Sequence, residues 1–158
     1  MSIKLCRMSF DYIDDMHEIL TNEQSVKYTG IDLSNSYNKT VKHVSFLIFN
    51  SNFIKSIAMV DEKEDKLIGF INVYSYGESV ELAAMCNAKY QRKGYTYESI
   101  CKVIEHIKKN KNIKEINAKI NKKNIKCINL VEKLNFKKDM EIKDKFSGEV
   151  IVKYSLKL

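Results

Sequence analysis

Gln91-Arg92-Lys93-Gly94-Tyr95-Thr96 is the run of this chain best suited to holding an anion. It stands between an alternating segment that ends at Cys86 and a helical segment that opens immediately after Gly94. Such a turn offers unpaired backbone N–H groups and the positive end of a helix dipole to a negative charge. A diphosphate needs several convergent N–H donors and no side chain in the way. Gly94 lets the backbone approach closely. The same six residues also read as an ordinary strand-to-helix turn. Thr96 adds a β-branched side chain at this point. Its hydroxyl can donate to a phosphate, cap the helix or crowd the site.

Glu81 is the carboxylate with a catalytic reading. A charge on a central strand is costly unless it is paired or functional, which makes Glu81 a candidate general base. The alternative is a solvent-facing residue that follows the Gly77-Glu78-Ser79 turn. Cys86 and Cys127 are the thiols near these segments; a packing role is the first reading for both. Asn124 is either a ligand contact or the N-cap of the helix that follows it.

The elements that must position these residues follow from hydrophobic spacing. Residues 3–8 form a first strand. Tyr12, Ile13, Met16, Ile19 and Leu20 give helical spacing over Phe10 to Leu20, and residues 37–50 give a second helix. The period then falls to two. Ile57 to Val60 and Leu67 to Tyr74 are the arms of a hairpin around the charged Asp61-Glu62-Lys63-Glu64-Asp65 turn. Val80, Leu82, Ala84 and Cys86 alternate with Glu81, Ala83, Met85 and Asn87, so Glu81 faces away from Leu82. Ile100, Val103, Ile104 and Ile107 mark a helix, and Ile116, Ala118 and Ile120 a strand. Ile125, Ile128, Val131 and Leu134 mark another helix. Phe136 to Ile142 and Val150 to Leu156 are a last hairpin around Ser147-Gly148. With no Pro/Gly-rich linker, the order predicts one α/β domain with a mixed sheet over residues 1–158.

Three motifs in this frame resemble the GNAT superfamily of acyl-CoA N-acyltransferases. Gln91-x-x-Gly94-x-Thr96 is similar to its pyrophosphate pattern Gln/Arg-x-x-Gly-x-Gly/Ala, with Thr96 as the departure. Asn124-x-x-Cys127 resembles Asn-x-x-Ser/Ala. Leu134-Asn135-Phe136 resembles Leu-Gly-Phe, with Asn the next-best residue for a left-handed helix end. Leu5-Cys6-Arg7, Asp14-Asp15 and Glu23-Gln24-Ser25-Val26-Lys27-Tyr28 resemble the opening of the ribosomal-protein N-terminal acetyltransferase branch.

The resemblance implies an α+β fold with a mostly antiparallel sheet of about seven strands and about four helices. It implies acetyl-CoA as co-substrate and direct transfer of acetyl to a primary amine. Gln91, Arg92, Lys93, Gly94, Tyr95 and Thr96 would hold the pyrophosphate. Ala84, Met85, Cys86 and Asn87 would pair with the pantetheine arm, and Asn124 would contact the cofactor. Glu81 would take the amine's proton, directly or through a water, and Cys127 could assist. Many members protonate the leaving thiolate with a tyrosine; the matching position here is Val131. The acceptor would be a small-molecule amine or a protein N-terminus, shaped in part by residues 29–56. A homodimer is the common assembly. Thr96 and Val131 keep open a non-catalytic acyl-CoA-binding or regulatory role on the same fold.

Composition narrows the field further. The formal charge of +7 is nearly all lysine and reads as solvated helix ends and turns, or as attraction for an anionic ligand such as CoA. No aromatic-basic alternation supports nucleic-acid binding. Four dispersed cysteines and three isolated histidines carry no metal spacing, so no metal is expected. The chain start lacks a secretory pattern, and no apolar run approaches ~20 residues; a cytoplasmic protein without a membrane span is expected.

Overall fold

The computed structural model describes residues 2–158. Seven strands form one sheet: β1 (Ile3–Arg7), β2 (Ile54–Asp61), β3 (Lys66–Tyr76), β4 (Ser79–Cys86), β5 (Glu115–Asn121), β6 (Lys137–Lys143) and β7 (Val150–Lys157). Their spatial order is β1-β2-β3-β4-β5-β7-β6. All neighbours are antiparallel except β4 and β5. The helices are α1 (Ile13–Leu20), α2 (Glu23–Val26), α3 (Tyr37–Phe49), α4 (Tyr95–Ile107) and α5 (Ile125–Lys133).

Period-two strands with both faces apolar must be covered on both sides, and two cores do this. Met16, Ile19 and Leu20 of α1 and Val44 and Leu47 of α3 pack on Ala58, Val60 and Phe70. On the opposite face, Ile100, Val103, Ile104 and Ile107 of α4 and Val131 of α5 pack on Ile71, Leu82, Ile116 and Val152. Gly69 is required where β2, β3 and β4 converge. A Cβ there would lie 2.4 Å from the Met85 carbonyl oxygen and 2.3 Å from Met59 Cε.

The mixed, mostly antiparallel sheet matches expectation, and the differences are local. The helix predicted from Phe10 is divided. Ser9 caps a short 3-10 turn, Phe10–Tyr12, and Tyr12 leaves α geometry before α1 begins at Ile13. The fifth helix, α2, is one turn long, too short to show a period; Asn22 caps it by accepting from the Ser25 N–H. Strand β2 begins at Ile54 rather than Ile57.

The parallel pair sets up the site. β4 and β5 pair only over Ser79–Glu81 and Glu115–Asn117. Beyond that, β4 stays with β3 as far as Cys86, and β5 stays with β7 as far as Asn121. The two strands therefore diverge and leave a fork in the middle of the sheet.

Candidate active site

Backbone chemistry makes the first half of the site. The Asn87 N–H donates to the Ile68 carbonyl at 2.8 Å, so Asn87 bonds toward β3. Strand alternation then turns the backbone groups of Ala84 and Cys86 toward the open fork. Gln91 Nε2 donates to the Cys86 carbonyl at 3.1 Å. The N–H groups of Ala84 and Cys86 remain aimed at the cleft.

The turn before α4 makes the second half. Arg92 and Gly94 both take left-handed φ, 62° and 86°, which curls successive amides inward. Helix α4 has no side-chain cap, and its first intrahelical bond is from the Glu98 N–H to the Gly94 carbonyl. Among the described residues, none supplies an acceptor for the six N–H groups of residues 92 to 97. Six free donors at a helix N-terminus make an anion cradle. Tyr95 Oη anchors the cradle to the β2–β3 turn by donating to Asp61 Oδ2 at 2.9 Å, and Tyr90 Oη donates to Glu64 alongside.

Between these halves lies a cleft of about 810 Å³. Of the residues expected in a site, it brings together Ala84, Met85, Cys86, Gln91, Arg92, Gly94, Tyr95, Thr96, Asn124 and Cys127. Three others lie outside its lining. Asn87 is 2% exposed and spends its side chain on structure: Nδ2 donates to Glu18 Oε1, and Oδ1 accepts from the Lys89 N–H. Lys93 sits with its ammonium over the Tyr90 ring, 5.1 Å from the centroid. Glu81 is ion-paired at 2.9 Å with Lys119, which does line the cleft.

Burial disfavours the thiolate at both cysteines of the cleft. Burial pushes Cys86 up; the neighbouring Thr96 hydroxyl and the Lys93 charge offset part of that. The Cys86 thiol itself donates to the Asn87 carbonyl at 3.6 Å. Burial alone holds Cys127 at about 11, so it stays a neutral thiol near pH 7. Asn124 caps α5, its Oδ1 accepting from the Cys127 N–H at 3.3 Å. Val131 presents no hydroxyl to the cleft. Asn135 adopts φ 67°, the left-handed helix end its type permits.

Sequence reasoning missed Lys119, Asn72, Tyr74, Gln24, Ser25, Lys27 and Tyr28, which all line the cleft; Thr29 and Ile31, from the region expected to shape the acceptor site, line it too. Asn72 and Tyr74 lie in a strand buried over most of its length and Lys119 at an exposed position of β5, so only the fork reveals them as cleft residues. The residues lining the cleft include six cations, Lys27, Arg92, Lys119, Lys123, Lys126 and Lys133, and no Asp or Glu. Among the described residues, no group of three His, Cys, Asp or Glu side chains could hold a metal ion. Nor, among these residues, is any helix long and apolar enough to cross a membrane.

Comparison with known proteins supplies context. A family model described as "Acetyltransferase (GNAT) domain" matches residues 3–137. No curated protein matches the sequence. Among solved structures, a GNAT-family acetyltransferase from Bacillus anthracis superposes with a TM-score of 0.87 at 17% identity, covering 99% of this chain and 95% of that one. Spermidine N-acetyltransferase from Vibrio cholerae, in complex with CoA and spermine, gives 0.84 at 15% identity over 98% and 95%. A Salmonella typhimurium acetyl transferase that modifies the N-terminal serine of 50S ribosomal subunit protein L7/L12 gives 0.87 at 12% identity over 100% and 96%. At these identities the structures establish a shared fold.

Proposed function

The chain belongs to the GNAT acetyltransferase family, and on that premise we propose that it transfers acetyl from acetyl-CoA to a primary amine by direct attack on the thioester. The observation that carries this reading is the row of six unpartnered N–H groups at residues 92 to 97, opening onto the forked strands. The N–H groups receive the diphosphate, with Arg92 close by. The arm carrying the thioester runs into the fork beside Ala84 and Cys86, where their N–H groups complete the strand edge.

In the transfer, the amine nitrogen attacks the thioester carbonyl carbon. A C–N bond forms as the carbonyl electron pair moves onto oxygen, where the N–H groups of the β4 edge stabilise it. The oxygen pair returns, the C–S bond breaks and the thiolate leaves. Glu81 takes the proton from nitrogen, directly or through a water, and releases it to solvent. The thiolate gains a proton from solvent. Cys127 is too weak an acid to supply it, but its S–H can donate a hydrogen bond to the leaving sulfur. An amine acceptor, whether a small molecule or a protein N-terminus, accords with the acceptors named for the Vibrio and Salmonella proteins. The four free cysteines fit a reducing compartment such as the cytoplasm.

The test is amine-dependent release of CoA thiol, run beside thermal melting with acetyl-CoA. At ~100 times its Kd, acetyl-CoA should stabilise the fold by about 2.7 kcal/mol. A shift together with amine-dependent thiol release supports transfer. A shift without release for any amine would leave a cofactor-binding protein, and no shift at millimolar acetyl-CoA would remove the donor site.

A further inference from the structure

The acceptor side of the cleft has an unusual electrostatic make-up. In β3, Phe70, Asn72 and Tyr74 share one face of the sheet. Asn72 is directly opposite Ala83 in β4, next to the fork. Glu81 is on that same face, with its Lys119 partner beyond the fork. The turn after α2, with Lys27 and Tyr28, flanks them.

Two observations bear on what fits here. Asn72 is 5% exposed, and its Oδ1 has no hydrogen-bond partner, while its Nδ2 donates to Tyr74 Oη at 3.4 Å. A buried amide oxygen left unpaired is costly, and a ligand N–H would satisfy it. The second observation is charge. No carboxylate lines the cleft, whereas Lys27 and Lys119 both do, Lys119 from the same sheet face as Asn72 and with Glu81 as its ion-pair partner.

Resting on the acetyltransferase reading above, we propose that the acceptor is a weakly basic amine covalently joined to a negative group, carboxylate or phosphate. Asn72 Oδ1 receives the amine N–H, and Lys119 and Lys27 face the negative group. A neutral amide oxygen in a cleft lined by cations and by no carboxylate favours an uncharged amine over an ammonium. An α-amine of pKa about 7.7–8.0 is roughly one-third neutral at pH 7.5, whereas an alkylamine of pKa about 10.4 is neutral in roughly one molecule per thousand. A polyamine brings several positive charges to a cleft lined by no carboxylate, and Glu81, on the same face, is already paired with Lys119. A peptide N-terminus followed by acidic residues and an amino-sugar phosphate both meet these requirements.

The experiment compares kcat/KM within matched pairs of acceptors at saturating acetyl-CoA. One pair is a peptide beginning Ser-Asp-Glu against its Ser-Asn-Gln counterpart. The second is an amino-sugar phosphate against the free amino sugar. Spermidine is the polycationic probe. The negative member of one pair should lead by about tenfold, the worth of one partly desolvated ion pair near 1.4 kcal/mol; which pair responds separates peptide from sugar. Lys119→Gln should bring that ratio close to one. Asn72→Asp places a carboxylate in the cleft and should raise the ratio of spermidine to the negative acceptor several-fold. These ratios are taken within one protein preparation, so partial unfolding does not alter them. Spermidine preferred by the unaltered protein, or equal rates within both pairs, would overturn the proposal while leaving the acetyltransferase reading intact. Binding of acetyl-CoA with no transfer to any probe would overturn that reading itself.

Discussion

Glu18 gives the most quantitative prediction. Its carboxylate accepts from Lys66 Nζ at 2.6 Å, Lys89 Nζ at 2.8 Å and Asn87 Nδ2 at 3.1 Å. It thereby ties α1 to β3 and to the segment leading into the anion cradle. The Lys66 hydrogen bond, followed by those of Lys89 and Asn87, pulls its pKa from 4.5 down to about 2. Taken at face value, that depression is worth about 3.4 kcal/mol. The side chain is 33% exposed and solvent screens the pairs, so a discounted contribution is about 1–1.5 kcal/mol. Because the folded pKa lies below the unfolded one, this stability is fully present above pH 4.5 and is lost as pH falls toward 2. Glu18→Gln keeps an oxygen acceptor for Asn87 and Lys89 and removes the charge together with the second oxygen, which accepts from Lys66. At neutral pH the variant should melt about 3–5 °C below the parent for a chain of this length. The gap should close between pH 4.5 and about 2, measured as paired melting curves. Other carboxylates titrate in both proteins and cancel in the difference. Equal melting at neutral pH, or a gap that persists near pH 2, would refute the reasoning.

Further predictions address the site and the sheet. Gly94→Ala puts a Cβ on a residue at φ 86° and should cost about 1 kcal/mol of stability, together with a smaller melting shift from acetyl-CoA. Glu81→Gln should lower kcat by about 10²–10³ with little change in acetyl-CoA affinity measured by calorimetry; an unchanged kcat removes Glu81 as the base. Gly69→Ala should destabilise by about 2 kcal/mol or more in chemical denaturation, since its Cβ would meet Met85 backbone at 2.4 Å. With its pKa held at about 11, Cys127 should react with iodoacetamide far more slowly at pH 8 than a free thiol of pKa about 8.5, by mass-spectrometric mapping of the labelled peptide.

Local chemistry explains which parts of the fold could be read in advance. The α4 and α5 stripes are periodic signals with one interpretation each, and β3 carries a short, β-branched apolar run buried on both faces. The start of α1 was misplaced because Ser9 caps a 3-10 turn ahead of it, a choice that spacing at Tyr12 and Ile13 does not show. Helix α2 carries only four residues and left no period to read.

The same division runs through the site. Contiguous residues determined the cradle: Gly94 permits φ 86°, a helix starts after it, and the free N–H groups follow from helix geometry at short range. The sequence also restricted position 135 to a residue that tolerates a left-handed backbone. Partners far apart in the chain were beyond it. Glu18 meets Asn87 across 69 positions, Glu81 meets Lys119, and Asn72 is left unpaired in a cleft without carboxylates. Those facts depend on where β4 and β5 part. Short-range sterics act on neighbours in the chain, whereas the charge and hydrogen-bond partners of a cleft are settled only when strand register brings distant side chains to one face.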